Sequence, residues 1–146
     1  VVAHHCSQIH CYLLHHSPIF LDFPEWKEYG VKFAKPRVSN PTAFREDLSW
    51  VGPYTIWEED YRDKTYNLFK RFSERDAETF LQLEEKFQKY YYPAHLEWGF
   101  NPPEPFGKPD AMERVVMNPE AGIKPNWLQM SAVQLAKDLF ESVEIQ

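Results

Sequence analysis

A chain of 146 residues, 43% hydrophobic and 16% aromatic, can bury a core and is too apolar for an intrinsically disordered segment. Its net charge of -6 and pI near 5.5 exclude a broad nucleic-acid surface, which needs clustered Lys and Arg; Lys70-Arg71 is only a pair. No stretch approaches the roughly 18 consecutive apolar residues of a membrane-spanning helix, so no transmembrane segment is predicted. The opening Val1-Val2-Ala3-His4-His5-Cys6 has no initiator Met, basic region or apolar signal core, and we read it as the start of a fragment. Cys6 and Cys11 would point in different directions on one helix, so no disulfide is expected. Free thiols fit a reducing compartment, and the expected location is cytoplasmic, with peripheral membrane attachment left open.

In chain order, residues 3–16 read as a helix, with Ile9, Tyr12, Leu13 and His16 at three- and four-residue steps. Ser17-Pro18 ends it. A short helix follows over 24–29, with Gly30 as its C′ residue. Residues 31–36 alternate as a strand, 43–50 form a second strand candidate, and 54–57 form a short aromatic strand after the Gly52-Pro53 turn. Residues 59–72 are predicted helical, with Tyr61, Thr65, Leu68, Phe69 and Phe72 on one face. Ser73-Glu74-Arg75-Asp76 resembles a capping box with Asp in the Glu position, and opens a helix from 74 to 91 with Phe80, Leu83 and Phe87 as its stripe. Pro93 is expected to limit that helix. From 93 to 125, prolines and glycines predict a long irregular connection, with one helical turn near 110–116. A last helix, over 126–140, is capped by Asn126. Together these elements predict an α+β fold, mostly helical with a small mixed or antiparallel sheet, in a single segment spanning 1–146.

The segment from His4 to His16 holds all but one of the six histidines. Cys6 with His10, and Cys11 with His15, are pairs one helical turn apart that can each reach a metal ion. Structural zinc sites bring such pairs together from separate elements, whereas both pairs here sit on one short helix, so no metal is assigned. Glu58-Glu59-Asp60 and Glu84-Glu85 are adjacent carboxylates that diverge by about 100° on a helix, and they read as solvated faces. The sequence has no Gly-x-Ser-x-Gly elbow, no Gly-x-Gly-x-x-Gly and no phosphate-binding Gly-Lys-Ser loop. Its five glycines are all isolated. The five tryptophans and Tyr90-Tyr91-Tyr92 suit either the lining of an apolar ligand tunnel or a core with an inter-domain surface.

Three phrases in order carry a family resemblance. Cys6-Ser7-Gln8-Ile9-His10 leads to Ser17-Pro18-Ile19-Phe20 and then to the run from Glu28 to Pro36. Tyr61-Arg62-Asp63-Lys64-Thr65 precedes the run from Phe72 to Phe80. Met130-Ser131-Ala132 precedes Leu139-Phe140-Glu141-Ser142. The chain resembles the stretch that follows the FAD-binding opening in phytoene-desaturase-like flavoproteins, a group with the carotenoid isomerases of the amine-oxidase type. Relatives often carry Asp where His4 or His5 stands here. The resemblance implies the substrate-binding, cap-side portion of a two-domain FAD-dependent oxidoreductase or isomerase acting on C–C bonds of an apolar small molecule. FAD would be bound mainly by the remainder of the flavoprotein, or by a partner chain carrying the nucleotide-binding domain. His5, Ser7 and His10 would then face cofactor or substrate, and Tyr12 and Trp57 would line the pocket wall; no catalytic residue is assigned. The alternative is a His/Cys-rich metal-binding or protein-interaction module without enzymatic activity.

Overall fold

The computed structural model describes residues 22–30, 32 and 35–146. The expected helix over 3–16, with His5, Ser7, His10 and Tyr12, lies outside the described residues, as do Val31 and Phe33 of the expected 31–36 strand. The described architecture is a mostly helical α+β arrangement with a small two-stranded antiparallel sheet. It begins with a 3-10 turn at Pro24–Lys27, where Pro24 occupies the first turn and leaves no donor unsatisfied. Gly30 follows in the left-handed region at φ 72°.

The 43–50 stretch, expected as one strand, folds back on itself. β1 (Thr42–Ala43) pairs with β2 (Trp50–Val51), with Thr42 opposite Val51 and Ala43 opposite Trp50. The reversal is local chemistry: Asp47 Oδ1 accepts the Ser49 N–H at 2.9 Å, and Phe44 N–H reaches Ser49 O at 2.8 Å. Leu48 takes a left-handed φ of 59° in the turn. The 54–57 strand is also reduced. Tyr54 makes one antiparallel bridge to Val38, and Glu58 N–H then closes a turn onto Thr55 O at 2.9 Å. Gly52 is where the chain crosses itself closely, since a Cβ there would lie 2.9 Å from Pro41 Cα.

α1 (Tyr61–Lys70) buries Thr65, Leu68 and Phe69, three of the five residues expected on its inner face. Thr65 Oγ1 accepts the Tyr54 N–H at 2.9 Å, which pins the hairpin's exit to the helix. α2 (Glu74–Lys86) starts at Ser73, whose Oγ accepts the Asp76 N–H at 3.1 Å. The expected reciprocal half of that capping box is missing. Asp is one methylene shorter than Glu, and its carboxylate turns inward instead. It is fully buried and accepts the Glu141 N–H at 3.0 and 3.1 Å and the Ser142 N–H at 2.8 Å.

Pro93 does not end the helical rod. Its ring has no N–H and would clash with the carbonyl four residues back in a continuous α-helix. The chain meets this with a π turn over Phe87–Tyr91, in which Tyr92 N–H reaches back to Phe87 O. α3 (Tyr92–Phe100) then continues with Pro93 in its first turn. The 93–125 stretch is correspondingly more regular than expected. α4 (Ala111–Met117) has a full capping box, Glu113 N–H to Asp110 Oδ1 at 2.8 Å and Asp110 N–H to Glu113 Oε2 at 2.9 Å. Pro119 and Pro125 each open a 3-10 turn, at Pro119–Ala121 and Pro125–Gln129. The longest irregular run left in it is 101–110. The expected 126–140 helix is split at Met130, which is extended at ψ 146°. α5 (Ala132–Leu139) is capped by Ser131 with Gln134, and not by Asn126.

Two cores result among the described residues. One packs Val51, Leu68, Phe69 and Ala77 with Phe44, Trp50, Phe72, Phe80 and Ile145. The other packs Ala94, Ala111, Val115 and Ala121 with Tyr90, Met112 and Ile123. Three of the second core's four buried residues are alanines, which let α3 and α4 approach closely. Asp76→Ala should lower unfolding stability by about 2–3 kcal/mol, because two part-buried backbone donors lose a charged acceptor. Asp76→Asn, which keeps one acceptor oxygen, should cost less. Urea unfolding monitored by circular dichroism reads both.

Candidate functional site

The larger apolar groove has a volume of about 1310 Å³ and lies along the first core. Val38, Phe44, Val51 and Tyr54 form its hairpin wall, Thr65 and Phe69 its α1 wall, and Phe80 and Leu83 of α2 with Phe87 of the π turn a third wall. Leu139, Phe140 and Ile145 close the last side. Rings and aliphatic chains thus dominate the lining, as in a site for an apolar ligand. Trp57, expected on a pocket wall, is half-buried and lines this groove. The other candidates, His5, Ser7, His10 and Tyr12, lie outside the described residues.

The loop carrying Trp57 is braced by charge. Arg37 grips Glu58 with two donors, Nε to Oε2 at 2.8 Å and Nη2 to Oε1 at 2.7 Å, and Lys64 Nζ adds a third at 2.7 Å. Thr55 Oγ1 donates to Pro36 O at 2.6 Å and Thr55 N–H to Arg37 O at 2.9 Å, so the same two segments are also stitched through backbone. Hydrogen bonds from Arg37 and then Lys64 hold the Glu58 carboxyl down to about 2. The Arg37 guanidinium is pushed up by the same contact.

A polar node interrupts the apolar lining. Tyr61 O–H donates to Glu84 Oε1 at 3.1 Å, and Arg62 Nη1 donates to Glu84 Oε2 at 2.5 Å. Tyr61 and Glu84 both line the groove, and the Glu84 side chain is only 14% exposed. Burial, with the Glu84 charge beside it, pushes the Tyr61 phenol above its usual range. Tyr61 is thus placed as a hydrogen-bond donor to Glu84. The expectation that Glu58 and Glu84 are solvated is corrected on both counts. The missed signal for Glu84 is its spacing: it follows Phe80 by four residues and so shares the edge of the buried stripe.

A second cavity, of about 1280 Å³, lies between α3, the 101–110 segment and α4. Phe87, Tyr91, His95 and Trp98 stack in sequence along the π turn and α3 at 4.9, 5.8 and 6.0 Å between ring centroids, and the last three of these line the cavity. No group of three or more His, Cys, Asp or Glu suited to a metal ion occurs among the described residues. No helix among them is long and apolar enough to cross a membrane. Compared with known proteins, the chain matches no family model, no curated sequence and no solved structure.

Glu58→Gln removes an anion whose carboxyl is depressed in the folded chain. Its contribution is present above pH 4.5 and is lost as the pH falls through about 2. The gap in urea midpoint between wild type and Glu58→Gln should be constant above pH 4.5 and close as the pH is lowered towards about 2. A gap that widens on acidification would contradict the brace.

Proposed function

We propose that this chain is the substrate-binding side of a FAD-dependent oxidoreductase or isomerase acting on C–C bonds of an apolar small molecule. The observation that supports this most is the groove: its size and its lining by aromatic and aliphatic side chains suit an apolar body held away from water. The order of sequence phrases from Cys6 to Ser142 supplies the flavoprotein part of the reading. In such an enzyme the flavin carries the redox chemistry, and the protein contributes binding and orientation.

The described residues do not suit the phosphates of FAD. Ser73 caps α2, Asp110 caps α4 and Ser131 caps α5 with their own side chains, and Glu74, Asp76 and Glu113 add negative charge at the first turns. A pyrophosphate needs free N–H groups and a glycine-rich approach instead. In this reading the phosphates are held outside the described residues, and the groove meets the substrate. FAD-dependent chemistry would then require the remainder of the flavoprotein or a partner chain.

The test has two arms. A long apolar polyene should quench the tryptophan fluorescence of the chain, and Trp57→Ala should weaken its binding by about fivefold or more while the circular-dichroism spectrum stays unchanged. Affinity capture of the chain from its native source should bring down protein-bound flavin, visible by its yellow absorbance. Absence of flavin from a capture that retains partner chains would overturn the flavoenzyme reading, and absence of quenching would overturn the groove.

A further inference from the structure

A groove meant only for hydrocarbon would have no reason to keep a nearly buried carboxylate on its wall. Desolvating a carboxylate is costly, and substituting a buried ion pair by apolar residues is often neutral or stabilising. Glu84 nevertheless stands there, with its side chain 14% exposed. Tyr61 and Arg62 hold it by one oxygen each, Tyr61 at 3.1 Å and Arg62 at 2.5 Å. An ionised carboxylate offers about four acceptor sites. Two donors reach it among the described residues, one per oxygen, so each oxygen keeps acceptor capacity. The apolar lining next to it, Phe80 and Leu83 on α2 and Phe87 at the start of the π turn, runs along the same side of the rod.

The geometry points to an amphiphilic ligand for this groove, a long apolar alcohol whose body lies along Phe80, Leu83 and Phe87 and whose hydroxyl donates to Glu84. This rests on the substrate-binding reading and deepens it by naming the substrate class. The head group is a neutral donor for an electrostatic reason. Arg62 already balances the Glu84 charge, so a ligand ammonium would bring an uncompensated cation next to the guanidinium. A ligand carboxylate would meet Glu84 as a like charge. A hydroxyl adds a hydrogen bond to a charged acceptor with no net charge to desolvate. Tyr61 serves as a positioning residue: its O–H fixes one Glu84 oxygen and leaves the carboxylate facing the groove.

Displacement of an environment-sensitive dye from the chain by 1-dodecanol, n-dodecane and dodecylammonium, all below their aggregation limits, tests this. The alcohol should bind about tenfold more tightly than the alkane, the size of effect a hydrogen bond to a charged group gives. Glu84→Gln should remove most of that preference, read as the ratio of alcohol to alkane affinity within the variant; Tyr61→Phe should reduce it in part. If Glu84→Gln fails to fold by circular dichroism, the wild-type ratio and Tyr61→Phe decide. Equal binding of alcohol and alkane by the wild type would overturn the hydroxyl anchor and leave the apolar groove standing. Tighter binding of dodecylammonium than of the alcohol would overturn the neutral head group. Binding of none of the three would overturn the groove itself, and with it this proposal. Retention of the alcohol preference in Glu84→Gln would overturn the assignment of the anchor to Glu84.

Discussion

The contact on which most else depends is the buried carboxylate of Asp76. It sits in the first turn of α2, where a negative charge is favoured by the helix N-terminus. It spends its hydrogen-bonding capacity on a distant segment, accepting the backbone N–H groups of Glu141 and Ser142. Ser73 and Arg75 reinforce the join by donating to the Glu141 carboxylate at 2.8 and 3.0 Å, and the Ser73 bond, then Arg75, pulls that carboxyl below its usual range. The turn after α5 is thereby fixed against the start of α2. Phe140 and Ile145 follow from it, and they close the last wall of the groove. One acidic side chain thus ties a helix start, itself capped by Ser73, to a pocket boundary.

The rod formed by α2, the π turn and α3 is the second constraint. A continuous α-helix through Pro93 is sterically closed, and ending the helix there would have separated the two cores. The π turn inserts one extra residue and lets the rod run on. It also shifts the angular register of the side chains beyond Phe87. Phe87 and Tyr91 therefore touch the larger groove while Tyr91, His95 and Trp98 face the second cavity. The two cavities share a wall because the rod changes register between them.

Local chemistry made much of the fold legible. The Ser73 cap and three of the five inner-face residues of α1 follow from short-range spacing and are seen, whereas of the expected stripe Phe80 and Leu83 are half-buried and Phe87 is exposed. What the sequence hid was decided by local turn chemistry at some positions and by tertiary partners at others. The 43–50 stretch carries strand-forming residues, but Asp47 and Ser49 form a local hydrogen bond that reverses it. Prolines were read as breakers, yet Pro119 and Pro125 occupy the one helical position where a missing N–H does no harm. Asp76 looked like half of a capping box because its true acceptor role involves residues 65 and 66 positions away. For the site, the aromatic content was legible in the sequence, and Trp57 is among the residues that line the groove. Glu84 was not legible, because adjacent glutamates on a helix read as solvent-facing until Tyr61 and Arg62 are brought across from α1.

Glu58 and Glu84 show how one residue type serves two purposes on the same groove. Glu58 takes three donors from two cations, which saturates much of its acceptor capacity and leaves it a strut that holds the Trp57 loop to the 36–38 segment. Its low pKa is the signature of that saturation. Glu84 takes one cation and one phenol, keeps acceptor capacity on each oxygen, and lines the groove. A carboxylate with several strong donors is structural because it has little left to offer a ligand. One with fewer, held at the edge of an apolar surface, is positioned to receive a hydrogen bond from outside the chain. Donor count and location, more than charge or burial, separate the brace from the binding group here.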